Sequence, residues 1–182
     1  KAEYMYSQET EYIETENATG FVKYYKGGKF AFVALLPNEG TSIDSYIASL
    51  TGKGFLSALN SRKNTQVNTQ MPKFKCEYSN SLVDTLKKMG MSTAFDWDRA
   101  NFSSMATLKN ENIYISDVIH KTFIEVAEKG TRAGAVTAVI SEKSAAMPVE
   151  QPKEVRLTRP FVYAIIDTRT NLPLFIGAQT DI

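Results

Sequence analysis

Glu128-Lys129-Gly130-Thr131-Arg132-Ala133-Gly134-Ala135-Val136-Thr137-Ala138 is a run of small residues between a strand-like segment and a long polar stretch. Its glycines, threonines and alanines are too small to build a hydrophobic core. They suit a segment that slides into a narrow slot. In an extended chain successive side chains alternate between faces, so Thr131, Ala133, Ala135 and Thr137 share one face, and all four are small. Added to a sheet as a strand, that face would pack under its neighbours at little steric cost. Composition alone also admits an Ala-rich helix or a flexible linker.

Upstream, Asn112 to Ala127 reads as one extended run. Val118, His120, Thr122, Ile124 and Val126 fall on one face, with Ile119, Lys121, Phe123 and Glu125 on the other. Downstream, Ser141 to Val155 is polar, carries Pro148 and Pro152, and is expected to be the least structured stretch. Pro160–Asp167 and Leu172–Gly177 then form two apolar strands about a Thr168-Arg169-Thr170-Asn171 turn, and their near-continuous apolar content predicts burial on both faces. Further back, Tyr24 to Leu36 reads as two strands around Lys26-Gly27-Gly28-Lys29, closed by Pro37-Asn38-Glu39-Gly40. Thr41-Ser42-Ile43-Asp44 is a capping signal for a short helix with Ile43, Tyr46, Ile47 and Leu50 as its stripe. Gly54 to Leu59 is a second short-helix candidate. Asn64 to Lys75 alternates as a half-buried strand ending at Met71-Pro72-Lys73-Phe74. Ser81 to Met89 reads as an amphipathic helix through Leu82, Leu86 and Met89, stopped by Gly90. Phe95 to Met105 is loop or short helix. The sum is an α+β chain dominated by sheet, with a long exposed loop before a buried C-terminal hairpin.

Composition narrows the function. The 182 residues are 43% hydrophobic, enough for one globular domain with a sizeable core. A net charge of +1 leaves no electrostatic footprint for nucleic acid or an acidic membrane. No apolar run approaches the roughly 20 residues that span a bilayer. Cys76 stands alone, so no internal disulfide framework exists, and it reads as a half-buried structural thiol. One cysteine and one histidine, His120, offer no metal cluster, and no cofactor is expected. Ser116, Asp117 and His120 are too close along one strand to act as a catalytic triad. Asn17-Ala18-Thr19 and Asn101-Phe102-Ser103 fit the glycosylation pattern, which matters only in a eukaryotic secretory setting. The start at Lys1 without a signal-like segment raises the expectation of a piece of something longer.

These segments together resemble the C-terminal half of a serpin, the serine protease inhibitor family. Leu35-Leu36-Pro37-Asn38-Glu39-Gly40 is similar to the family's leucine-proline-acidic-glycine turn, and Met71-Pro72-Lys73-Phe74-Lys75 to its proline-lysine strand. Leu86-Lys87-Lys88-Met89-Gly90-Met91 with Ala94-Phe95 resembles the helix and turn that follow. Ile113 to Lys121 resembles the strand before the hinge, and Glu128-Lys129-Gly130-Thr131 the hinge itself. Arg159-Pro160-Phe161 and Leu174-Phe175-Ile176-Gly177 resemble the closing hairpin. The resemblance runs from about Phe21 to the end. It implies a partial serpin domain over 1–182, with hinge and reactive loop at 128–158 and the N-terminal helical half absent. A strand before the hinge would then have an unpaired edge.

The resemblance further implies an inhibitor rather than an enzyme. A serine or cysteine protease attacks the bait loop and forms an acyl-enzyme. The cut loop inserts into the main sheet as a strand and traps the protease. The hinge set is Glu128, Lys129, Gly130, Thr131, Arg132, Ala133, Gly134, Ala135, Val136 and Thr137. The family's spacing from Gly130 puts the reactive bond between Ser144 and Ala145, with Lys143 and Ala146 as alternative flanks. Small residues there favour an elastase-like protease, whereas Lys143 would suit a trypsin-like one. His120 corresponds to the cluster controlling sheet opening, whose partners would lie in the absent half. The other partner expected is that half itself; a secreted setting follows from the family alone. The competing reading is a non-inhibitory carrier or chaperone, against which the permissive hinge speaks.

Overall fold

A computed structural model, which describes residues 2–106, 108–109, 111–128 and 151–182, places most of the apolar sequence in strands. They are β1 (Tyr4–Glu14), β2 (Ala18–Tyr24), β3 (Phe30–Pro37), β4 (Lys63–Pro72), β5 (Phe74–Ser81), β6 (Ile119–Val126), β7 (Lys153–Arg156), β8 (Phe161–Asp167) and β9 (Pro173–Gln179). Two short helices, α1 (Ile43–Ser49) and α2 (Gly52–Asn60), follow β3, and a third, α3 (Val83–Leu86), follows β5. The chain divides into two units, residues 1–74 with 126–182, and residues 75–125.

The first unit is built on a seven-stranded sheet in the order β7-β4-β1-β2-β3-β8-β9. Every neighbouring pair is antiparallel except β4 with β7, which run parallel. Gly27 and Gly28 take positive φ (89° and 67°) in the turn between β2 and β3, a conformation that costs glycine little. Alternation then sorts the central strands. Ile13, Val22, Ala31, Val33, Leu35, Val162, Ala164 and Ile166 point to one face and meet Tyr46, Phe55, Ala58 and Leu59 of the two helices. Helix α1 begins where the capping signal placed it, with the Ser42 hydroxyl accepting from the Ser45 amide at 3.2 Å. The opposite face is aromatic: Phe32 stacks on Tyr163 at 6.1 Å, and Phe74 meets Phe161 and Tyr163 at 6.0 and 5.2 Å.

In the second unit β5 and β6 pair as a two-stranded sheet. Helix α3 leads into a π turn over Lys87–Met91, where Gly90 has φ 104°, and then a 3₁₀ turn over Ser92–Phe95. Asn112 braces the turns beyond by donating its side-chain amide to the carbonyls of Trp97 (2.6 Å) and Ala100 (2.9 Å).

Several expectations are corrected. The helix foreseen over Ser81–Met89 shrinks to one turn, because Ser81 still belongs to β5 and Gly90 unwinds the far end. Met89, counted in its apolar stripe, is 76% exposed. The strand foreseen over Asn64–Lys75 is two strands, broken at Lys73 after Pro72, which cannot donate to a ladder. Only Ile119–Val126 of the extended 112–127 run pairs as a strand. The C-terminal hairpin is present, but its two strands differ. β8 is buried, whereas β9 is an edge strand whose Leu174, Phe175 and Ile176 are exposed within this chain. Residues 153–155, placed in the least structured stretch, begin β7, and Val155 is fully buried. β1 carried no assignment at all, since its polar, alternating YMYSQETEYIE sequence has no apolar run to announce it.

Candidate functional site

Residues 129–150, which hold most of the small-residue segment, lie outside the described residues, but both of their stems are described. The leading stem ends at Glu128. Its carboxylate pairs with the Lys73 ammonium at 2.8 Å. Lys73 sits at the break between β4 and β5, and it also pairs with Glu3 at 2.9 Å. The Lys73 amide donates to the Glu3 carbonyl at 2.8 Å, so these two are joined through backbone as well as side chains. Hydrogen bonding to Glu128 first, and then to Glu3, holds the Lys73 ammonium above the usual lysine range. The same bond from Lys73 holds the Glu128 carboxyl below the usual carboxylate range.

The trailing stem is β7. It pairs with β4 in parallel from Val67↔Lys153 to Gln70↔Arg156, and the Leu157 amide extends the ladder by donating to the Gln70 carbonyl at 2.8 Å. Val155 and Leu157 are buried anchors. Arg159 follows, and its guanidinium donates to the Pro37 carbonyl at the end of β3. Both stems are therefore seated on β4 or its immediate continuation.

Beneath the leading stem one face of the β1–β4 ladder carries a stripe of cross-strand pairs. Glu3 lies beside Lys73, Met5 opposite Met71, and Ser7 opposite Thr69. A register shift between Glu9 and Glu11 turns Glu9 toward Lys23 of β2, with which it forms an ion pair. Lys23 is only 8% exposed; its ammonium also donates to the Ser7 hydroxyl at 3.1 Å, and Ser7 donates to Glu9 at 2.7 Å. A buried charge needs such a set of partners. A cavity of about 110 Å³ opens above it, lined by Met5, Tyr6, Ser7, Lys23, Met71 and Glu128.

Of the residues singled out from sequence, only Glu128 of the hinge set is described; Lys129 to Thr137 and the bond among Lys143, Ser144, Ala145 and Ala146 fall outside. His120 is exposed on β6 rather than packed, in edge contact with the Tyr78 ring at 6.4 Å. Asp117 accepts from the Ser81 hydroxyl at 2.5 Å and the Val118 amide at 2.7 Å through one carboxylate oxygen. Among the described residues no group of His, Cys, Asp and Glu could hold a metal ion, and no helix is long and apolar enough to cross a membrane. Sequence reading passed over Glu3, Lys73 and the Glu9–Lys23 pair as functional groups. A lone lysine inside the apolar β2 strand was the available signal, since a buried ammonium demands a carboxylate.

The serpin family model, described as serine protease inhibitor, matches residues 1–182. Serpin B3 of Homo sapiens is 36% identical over 155 residues, which is 84% of this chain and 38% of that protein. An uncharacterised serpin-like protein of Thermococcus kodakarensis is 34% identical over 91% of this chain and 38% of its own length. The crystal structure of tengpin, a thermophilic serpin, in the native state superposes with a TM-score of 0.85 at 48% identity, over all of this chain and 46% of that one. The chain thus spans about two-fifths of the length of these curated relatives. Its sheet order, helices and closing hairpin have a close counterpart in a solved serpin, and the chain belongs to the serpin family.

Proposed function

We propose that this chain is the C-terminal portion of an inhibitory serpin, a suicide-substrate inhibitor that traps a serine protease. Serpins are generally protease inhibitors rather than enzymes, and family membership supports that much. The observation that carries the finer reading is that the described residues flanking 129–150 both reach β4 or its continuation, Glu128 through the Lys73 side chain and Lys153–Arg156 as β7. Val67 and Lys73 are about 20 Å apart along β4, at roughly 3.3 Å per residue. The intervening residues have a contour length of about 80 Å. Such slack, between two anchored ends, is what a bait loop requires.

In this reading the protease cleaves the Ser144–Ala145 bond, and small flanking residues favour an elastase-like enzyme over a trypsin-like one that would use Lys143. The freed segment enters the main sheet as an added strand, where backbone pairing is the gain and side-chain bulk the obstacle. Thr131, Ala133, Ala135 and Thr137 give an inward face without bulk, while Arg132 stays on the solvated side. The uncleaved form is kinetically trapped above the inserted one. Residues 1–182 would be a partial domain, with 128–158 as hinge and reactive loop, acting in a secreted setting together with the remainder of a serpin.

The test is to mix the full-length protein with an elastase and weigh the products. A covalent adduct ending at Ser144 is expected. Thr131→Arg must bury a guanidinium on insertion, which is strongly disfavoured, so that variant should be cleaved and released as an ordinary substrate. Undiminished adduct in Thr131→Arg would sink the insertion mechanism. Cleavage without adduct in the unmodified protein would favour the carrier reading.

A further inference from the structure

Lys73 carries two carboxylates, and they reach it differently. Glu3 lies just beyond the Tyr4–Pro72 end of the β1–β4 ladder and is fastened to Lys73 by the backbone bond at 2.8 Å and by the ion pair at 2.9 Å. Glu128 arrives from the far end of β6 and touches it through the 2.8 Å side-chain pair. Glu3 is thus a fixed partner and Glu128 a releasable one. The Lys73 side chain is 29% exposed, while those of Glu3 and Glu128 are 76% and 64% exposed.

An isolated exposed ion pair gains little, because ordering two long side chains consumes most of the Coulomb attraction. Lysine is among the residues that lose the most rotamer freedom when held. If one carboxylate has already ordered the ammonium, the second meets it without that entropy loss. Networks of charges escape the weakness of single pairs for this reason. The two carboxylates repel each other across the ammonium, but both are well exposed, so water screens that repulsion.

We infer that Glu3 is a positioning residue for the hinge: it holds the Lys73 ammonium where Glu128 finds it, and so sets how often the leading stem lets go. This rests on the reading of residues 128–137 as a hinge, yet it is measured without any protease. Failure of the inhibitor reading would therefore be seen separately, in the adduct assay.

The experiment is hydrogen–deuterium exchange of the uncomplexed full-length protein, read by mass spectrometry on the peptide spanning residues 126–130. Glu128→Gln should raise its exchange rate about two- to fivefold, the range corresponding to an exposed pair. Glu3→Gln should raise it about twofold although Glu3 is remote in sequence from that peptide. Glu3→Asp keeps the charge and should stay near the parent rate. The deciding arm is Glu3→Gln in a Lys73→Met background, where no further change should appear, because Glu3 then has nothing to position. Unchanged or slower exchange in Glu3→Gln would overturn the inference. So would an increase that survives Lys73→Met, which would mark Glu3 as a general support of β1.

Discussion

Glu128 has its carboxyl proton affinity lowered, most of all by one neighbour. The hydrogen bond from Lys73 holds its proton affinity down, and its contribution to the folded state has the sign of a depressed acid: present above the unfolded midpoint, lost as pH falls through the folded one. Lys73 has the opposite sign, with its contribution lost as pH rises through its raised midpoint. The stem should therefore be held across the neutral range and released in acid. A carboxyl NMR titration should place the Glu128 midpoint below that of an ordinary glutamate, and Lys73→Met should restore it. An unshifted midpoint in the parent protein would contradict the pairing. Gly20 is a second residue whose chemistry is dictated by one contact. A Cβ there would sit inside contact distance of the Ala34 carbonyl oxygen on the adjacent strand, which is backbone and cannot swing away. Gly20→Ala should destabilise the fold by about 1–3 kcal/mol, read as a lower urea midpoint.

Among the elements, α2 shows how little of a short helix is autonomous. Nine residues with two glycines cannot form a stable helix in isolation. The Thr51 hydroxyl caps it by accepting from the Gly54 amide at 3.0 Å, and Phe55, Ala58 and Leu59 bury its inner face against the sheet. Leu59→Ala should cost about 2–5 kcal/mol through the cavity it leaves, and a loss below 1 kcal/mol in chemical denaturation would mean the site collapses freely. The sequence offered this helix only as a short candidate over Gly54 to Leu59; the Thr51 cap extends it back to Gly52. α3 was foreseen too long: its leucines and methionine have helical spacing, yet Gly90 and the strand ending at Ser81 leave room for only one turn. β4 and β5 were merged for a related reason. Alternation continues through Pro72, and the missing amide of proline falls where Lys73 separates the two strands.

For the whole molecule, the exposed apolar residues matter most. Tyr6, Trp97, Met105, Ile119, Phe123, Leu174 and Ile176 are each at least half exposed in this chain. Patches of this kind mark surfaces that bind something or aggregate, and β9, at the edge of the sheet among the described residues, adds backbone without a ladder partner there. Residues 1–182 produced alone should associate in size-exclusion chromatography and bind a hydrophobic dye. A clean monomer without dye binding would mean these faces need no cover. The chain spans 46% of the native tengpin chain, so ample sequence exists in a relative to cover them.

Sequence by itself determined what depends on neighbours along the chain: the glycine turn before β3, the Ser42 cap, the closing hairpin, and through ordered motifs the family. Only the tertiary structure decided what depends on residues remote in sequence. It brought Glu3, Lys73 and Glu128 to one point, turned Glu9 onto Lys23 through a register shift, and paired β7 with β4. The physical reason is that side-chain periodicity is a local property, whereas an ion pair or a strand register is fixed only when distant segments lie side by side.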